Sequence, residues 1–229
     1  MKFIETQNIL HVYTKQFGFC QKYSTTQALL SITNKIQKAV DEGNYSYGIF
    51  LDFSKAFGTV NRNILITKLD HYGFKGIVKK WFCSYLSEWK QFVSIGNAMS
   101  DYTQISCGVQ QGSVLGPLLF LLYINDFNHS SNQLDFHLFA DDSNLFYAHK
   151  SLKELETIVN NELQEVFSWL CANKLSLNIE KSASFRPPQK LVNYSIKLKI
   201  NNQTLMHENS IKYLGIMIDS HLNWKSQVN

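Results

Sequence analysis

The sequence predicts an α+β domain in which an antiparallel sheet is covered by helices on one side, and three observations carry that expectation. Helical and strand-like patterns alternate along the chain. Two pairs of strand-like runs are joined by turn-forming residues, at Gly96–Asn97 and at Asp141–Asp142, as hairpins are. A hydrophobic content of 45% against 17% charged, over 229 residues, is enough for a real core.

The elements follow in order. "YSTTQALLSITNKIQKAVDEGNY" predicts a helix capped by Ser24 or Thr25, with Ala28, Leu29, Ile32, Ile36 and Val40 as its apolar stripe and Gly43 as its stop. "YSYGIFLDF" (45–53) reads as a strand ending at Asp52. Helices are expected over 61–72 and 76–87, separated by Gly73, and "KQFVSIGN" with "YTQISCGV" reads as a hairpin. "PLLFLLYINDF" is apolar all round, so it must be buried, with Pro117 expected at the first helical position. Strands 134–140 and 144–148 flank the Asp-Asp turn. A helix over 151–173 carries Leu152, Leu155, Val159, Leu163, Val166 and Leu170 on one face. "YSIKLKIN" and "IKYLGIMID" are the last strands, and Pro187–Pro188 with "KLVN" is the one linker-like stretch.

Charge is uneven. Residues 51–100 hold seven Lys/Arg against three Asp/Glu and residues 182–229 six against two, whereas 101–150 hold one Lys against five Asp. Basic flanks suit a polyanion and an acidic centre suits metal ions, although an ordinary patchwork surface fits the charge pattern as well. Four cysteines at 20, 83, 107 and 171 lack C-x-x-C spacing, so neither a disulfide framework nor a zinc site is expected. With no signal-peptide pattern and no spanning run, the expectation is an intracellular protein, cytoplasmic or nuclear, not secreted and without membrane contact.

"FHLFADDSNLFY" (136–147) sets a problem. Neighbouring strand residues point to opposite faces, and two adjacent carboxylates in an apolar run are costly. A polar turn answers this by swinging both aspartates to one edge. Asp52, another lone acid ending an apolar strand, is the candidate third carboxylate. Three converging carboxylates repel one another unless cations neutralise them, and two divalent ions about 3.5–4 Å apart would stabilise an in-line phosphoryl displacement. Oxygen-only ligation favours Mg²⁺.

The ordered motifs then resemble a known family. "QFGFCQKYSTTQALL", "LDFSKAFGTVN", "GVQQGSVLGPLLFLLYINDF", "FADDSNLF", "WLCANKLSLNIEKS" and "IKYLGIMIDSHLNW" are similar, in order and over the whole chain, to the reverse transcriptase domain of non-LTR, jockey-like retrotransposons. The resemblance implies a right-hand polymerase palm over 45–229 with partial fingers over 1–44, the thumb absent and the chain truncated at both ends. It implies an RNA-directed DNA polymerase, a nucleotidyltransferase that adds deoxynucleotides to a primer 3′-OH with two Mg²⁺ ions (Mn²⁺ as an alternative). RNA template, DNA primer and deoxynucleoside triphosphates are its implied partners.

Residue roles carry over by motif. Asp52, Asp141 and Asp142 would hold the metals, with the Phe53 carbonyl assisting. Phe57 would be the steric gate against the ribose 2′-OH, with core packing as its plain alternative. Gln111 and Gly112 would meet the incoming nucleotide and templating base. Lys181 would lie by the pyrophosphate as general acid, or stand as a solvated charge. Tyr213, Leu214 and Gly215 would support the primer end, or simply pack the sheet. Three positions depart from the pattern: Gly58 stands for an aspartate, Cys20 for a triphosphate-clasping arginine, and Gln110 for a proline. They keep open a second reading, a catalytically inert nucleic-acid-binding relic of such a domain.

Overall fold

The computed structural model describes residues 12–186, 196–219 and 222. Its helices are α1 (Thr25–Asp41), α2 (Ala56–Thr59), α3 (Arg62–His71), α4 (Gly76–Leu86), α5 (Leu115–Ile124) and α6 (Leu152–Ala172), with a 3₁₀ turn at Phe127–Ser130. The strands are β1 (Tyr45–Leu51), β2 (Lys90–Gln91), β3 (Ser94–Ile95), β4 (Ala98–Met99), β5 (Thr103–Gln104), β6 (Asp135–Phe139), β7 (Asp142–His149), β8 (Ala183–Phe185), β9 (Lys199–Ile200), β10 (Gln203–Thr204), β11 (Met206–Glu208), β12 (Ser210–Tyr213) and β13 (Ile216–Asp219). They fall into two compact units, one formed by Lys55–Asn125 and the other by Tyr13–Ser54 with the described part of Asp126–Asn229.

The second unit is built on a five-stranded sheet of order β11-β8-β1-β7-β6. β1 sits at its centre and is buried from Ser46 to Leu51, at odd and even positions alike, so both faces need cover. On the Phe50 face α1 supplies Leu29, Ile32, Ile36 and Ala39, which pack with Phe146, Phe185, Tyr213 and Ile218. On the other face Phe127 gathers Phe53, Phe136 and Trp169 of α6, at ring separations of 5.8, 5.1 and 4.7 Å. The expected cover on one side is therefore corrected to helices on both. "YSYGIFL" is a near-continuous apolar run rather than an alternating one, and that pattern belongs to a strand buried on both faces.

The sheet is mixed, not wholly antiparallel: β11 runs parallel to β8, pairing Met206 with Ala183 and Glu208 with Phe185. A parallel pair needs a crossover of roughly a dozen residues or more, and residues 186–205 provide it. Within that stretch the β9–β10 ribbon is tied to α6, where Asn160 accepts from the Lys199 amide at 2.7 Å and Glu156 from the Lys197 amide at 2.8 Å. β8 itself had no signal beyond "SASF", too short to show a period. "IKYLGIMID" is a hairpin rather than one strand, turning at Leu214 and Gly215 with φ of 49° and 84°. The start of "YSIKLKIN" and the proline linker lie outside the described residues.

Helix capping explains the boundaries. Ser24 accepts from the Gln27 amide at the start of α1 and Ser151 from the Glu154 amide at the start of α6. All six predicted stripe residues of α6 are buried, whereas in α1 Ala39 is buried in place of Val40. In the Lys55–Asn125 unit, α5 starts at Leu115, so Pro117 falls third rather than first. The first four helical N–H groups lack an intrahelical partner, so a proline is tolerated there too. The hairpin after α4 is two short ladders, β2–β5 and β3–β4, exposed throughout.

Candidate active site

The register of the central strands brings the acidic residues together. Leu51 is paired with Ser143 across β1 and β7, so one step further Asp52 and Asp142 stand opposite each other at the same sheet edge. Asp141 belongs to the two-residue connection Ala140–Asp141, because Phe139 pairs directly with Asp142. The expected turn at both aspartates is thus tighter: Asp142 already belongs to β7. Ala140 takes the strain of that turn with φ of 55°.

Two sets of tethers fix this edge. On the Asp52 side, the Asp52 amide donates to Ser182 Oγ at 3.1 Å and its carbonyl accepts from the Asn178 amide at 2.8 Å. The Ser54 amide donates to the Ser176 carbonyl at 2.8 Å. These bonds flank Phe53, which bridges Leu177, and leave the Phe53 carbonyl unused by that bridge. On the hairpin side, buried Gln16 accepts through Oε1 from the amides of Gly18 and Ala140, both at 2.9 Å. Phe17 and Lys15 extend the contact through backbone bonds to Leu138. A Cβ on Gly18 would lie 2.3 Å from the Ala140 nitrogen, so only glycine lets this segment lie against the turn. Gln16, Gly18, Asn178 and Ser182 were not singled out from the sequence. Their roles are amide and hydroxyl bonds to backbone, which no spacing rule announces.

The electrostatics separate these acids from Asp135, at the far end of β6. Burial alone would raise Asp135, but hydrogen bonds from His137, Lys15 and Lys35 hold it well below the usual carboxylate range. Burial pushes the Asp141 carboxyl up, partly opposed by its own backbone amide, and the Asp52 charge adds to the rise. Asp142 is also pushed up, by burial and then by the charges of Asp141 and Asp52. The three acids therefore sense one another, and among the described residues no lysine or arginine is ion-paired with them.

An uncompensated, oxygen-only donor set suits a hard divalent cation. Among the described residues no three such side chains are gathered into a ready ligand group.

The other predicted residues are placed as follows. Tyr213 is 3% exposed, its ring 5.4 Å from that of Phe50. Burial, and then the charge of Asp142, push its hydroxyl well above the usual tyrosine range. Leu214 and Gly215 form the hairpin turn beside it. Lys181 is exposed in the turn just before Ser182, with its amide donating to the Asn178 carbonyl at 3.2 Å. In the Lys55–Asn125 unit, Phe57 is half-buried and stacks on Phe120 at 4.5 Å. Gln111 is exposed, and Gly112 adopts φ of 84° with open space around it.

The fold is that of a polymerase. Telomerase from Candida tropicalis, solved in complex with a TWJ fragment of telomeric RNA, superposes on 87% of this chain, about a third (32%) of the telomerase chain, with a TM-score of 0.58 at 12% identity. Telomerase from Candida albicans, in a corresponding complex, matches 95% of this chain and 35% of its own with a TM-score of 0.52, also at 12% identity. The chain itself belongs to the reverse transcriptase (RNA-dependent DNA polymerase) family, whose model matches residues 2–218. Among its relatives are the probable RNA-directed DNA polymerase from transposon BS of Drosophila melanogaster, 29% identical over 91% of this chain, and the RNA-directed DNA polymerase from mobile element jockey of the same species, 27% identical over 93%. The chain spans about a quarter (24%) of the length of each. No helix among the described residues is long and apolar enough to cross a membrane.

Proposed function

We propose that this chain is the polymerase core of a retrotransposon reverse transcriptase, extending a DNA primer on an RNA template with deoxynucleoside triphosphates. The observation that carries the reading is the facing pair Asp52 and Asp142, with Asp141 in the adjoining turn. Magnesium held by these carboxylates would supply Lewis-acid stabilisation of the attacking and leaving oxygens. Asp52 and Asp141 would be the principal holders, with Asp142 alongside and the Phe53 carbonyl assisting. The primer 3′-oxygen forms the new bond to the α-phosphorus as the bond to pyrophosphate breaks. Lys181, exposed in the turn after Asn178, would give a proton to that leaving group.

In the same reading Phe57 screens the sugar 2′ position, Gln111 and Gly112 meet the nucleotide and templating base, and the Tyr213–Gly215 hairpin supports the primer end. Residues 45–229 then serve as palm and 1–44 as partial fingers. Gly58 is compatible with this, because a Cβ there meets nothing closer than Lys55 Cβ at 3.8 Å.

Primer extension on an RNA template with Mg²⁺ tests the reading, with Asp141→Ala as the control. Extension lost in the control supports it. Template cleavage without extension points to a nuclease, and no extension even with Gly58→Asp and Cys20→Arg restored leaves the inert nucleic-acid-binding relic.

A further inference from the structure

Arg62 is the first residue of α3, and its own helix does not call for it. That end is already capped, since Asn61 Oδ1 accepts from the Ile64 amide at 3.1 Å. A cation at a helix N-terminus also meets the positive end of the macrodipole, which is unfavourable. Among the described residues no carboxylate is ion-paired with Arg62. Its donors go to backbone instead. Nη1 donates to the Ile105 carbonyl at 2.7 Å, Nη2 to the Cys107 carbonyl at 3.2 Å and Nε to the Gly108 carbonyl at 3.0 Å. The guanidinium also lies over the Trp89 ring, 5.1 Å from its centroid, and the Trp89 indole N–H donates to the Tyr85 carbonyl.

The stretch held in this way, residues 105–114, contains no helix or strand, so no ladder satisfies its carbonyls. Arg62 satisfies three of them at once. Two amides of the same stretch are bonded to α2 and its end, Val109 N to the Phe57 carbonyl at 2.8 Å and Gly108 N to the Val60 carbonyl at 2.7 Å. Further along, Ser113 Oγ donates to the Gln110 carbonyl at 2.8 Å and accepts from the Gly116 amide at 2.9 Å. Gln111 and Gly112 therefore sit between two anchored points, with Gln111 exposed.

We infer that Arg62 is a positioning residue for the incoming nucleotide: it sets the loop that carries Gln111 and Gly112 and does not touch the substrate itself. A planar guanidinium offers its donors in a fixed fork, which suits three carbonyls of one backbone segment. An ammonium is a point charge on a flexible stem and cannot match that arrangement. Geometry rather than charge is what the loop requires, and Arg62→Lys separates the two. Because the fork faces carbonyls, its loss should leave the salt dependence of nucleic-acid binding unchanged. The nucleotide role rests on the polymerase reading; the hold on the loop does not.

The test is single-nucleotide addition to a primer annealed on RNA, with the deoxynucleotide concentration varied, for the unsubstituted chain and for Arg62→Lys. The nucleotide KM should rise roughly 10-fold with kcat nearly unchanged. Primer–template affinity in chelator, and its salt dependence, should stay the same. Leu65→Val, at a fully buried position of the same helix, should lower the melting temperature without moving KM. Hydrogen exchange at the Gly108 and Val109 amides should quicken in Arg62→Lys and not in Leu65→Val. An unchanged KM in Arg62→Lys, or an equal rise in Leu65→Val, overturns the inference, and so does unchanged exchange at the two amides. A weakened salt dependence would make Arg62 a phosphate contact and overturns it as well. If the unsubstituted chain extends primers while Arg62→Lys keeps its KM, the inference falls alone. If the unsubstituted chain adds no nucleotide, the polymerase reading falls and takes the nucleotide role with it, and quickened exchange then leaves only the hold on the loop.

Discussion

Asp52 and Asp142 face each other one step beyond the last paired residues of β1 and β7, Leu51 and Ser143. Neither motif states this alone. It follows from a register in which seven consecutive residues of β1 match β7, from Tyr45 opposite His149 onward. A slip of one residue would send the two carboxylates to opposite faces. What holds the register also holds the site.

Gln16 is the first place to break that hold. Gln16→Leu leaves the buried amides of Gly18 and Ala140 without their acceptor. The expected loss is about 2 kcal/mol of unfolding free energy, read by urea denaturation. Gly18→Ala should cost at least as much, because the added carbon meets backbone at 2.3 Å.

Asn144 offers the opposite sign. It is fully buried in β7, and both its amide oxygen and its amide nitrogen lack hydrogen-bond partners. Asn144→Leu keeps the volume and removes two desolvated polar atoms, so stability should rise by about 1–3 kcal/mol in the same denaturation measurement.

Gly58 and Gly108 look alike in sequence but should respond differently. Gly58→Asp meets only an ordinary contact with Lys55 Cβ at 3.8 Å and should leave the melting temperature nearly unchanged. Gly108 has φ of +84°, and its Cβ would lie 2.7 Å from the Gly58 carbonyl oxygen. Gly108→Ala should cost about 2 kcal/mol or more, visible as a lowered melting temperature.

The acidic edge should give stability a pH dependence of definite sign. The folded-state carboxyls of Asp141 and Asp142 are raised. The folded state therefore holds its protons to higher pH than the unfolded state, whose aspartates titrate near about 3.9. Without metal, stability should fall as pH rises from that value through the raised folded values. Asp142→Asn should flatten this slope and gain stability above it, with only modest size because Asp142 remains solvent-exposed and screened. Denaturation in chelator between pH 3 and pH 7 reads both effects.

The local elements were legible because their signals are local. Ser24, Ser151 and the six-leucine-and-valine stripe of α6 mark their helices by capping and period. The three aspartates were legible because lone acids ending apolar runs are conspicuous. What could not be read was pairing over distance: the parallel β8–β11 contact, the cover on both faces of β1, and the Gln16 tether across 124 residues to Ala140. Such contacts depend on chain return, and no periodicity encodes it.

The most direct test of the polymerase reading is single-nucleotide addition to a primer annealed on RNA, measured by rapid quench with Mg²⁺ for Asp52→Asn, Asp141→Asn and Asp142→Asn separately. Each carboxylate, if it holds metal at the reacting phosphate, should cost at least about 100-fold in rate when made neutral, with primer–template affinity measured in chelator unchanged. Addition at the unsubstituted rate by Asp52→Asn or Asp141→Asn would contradict the account.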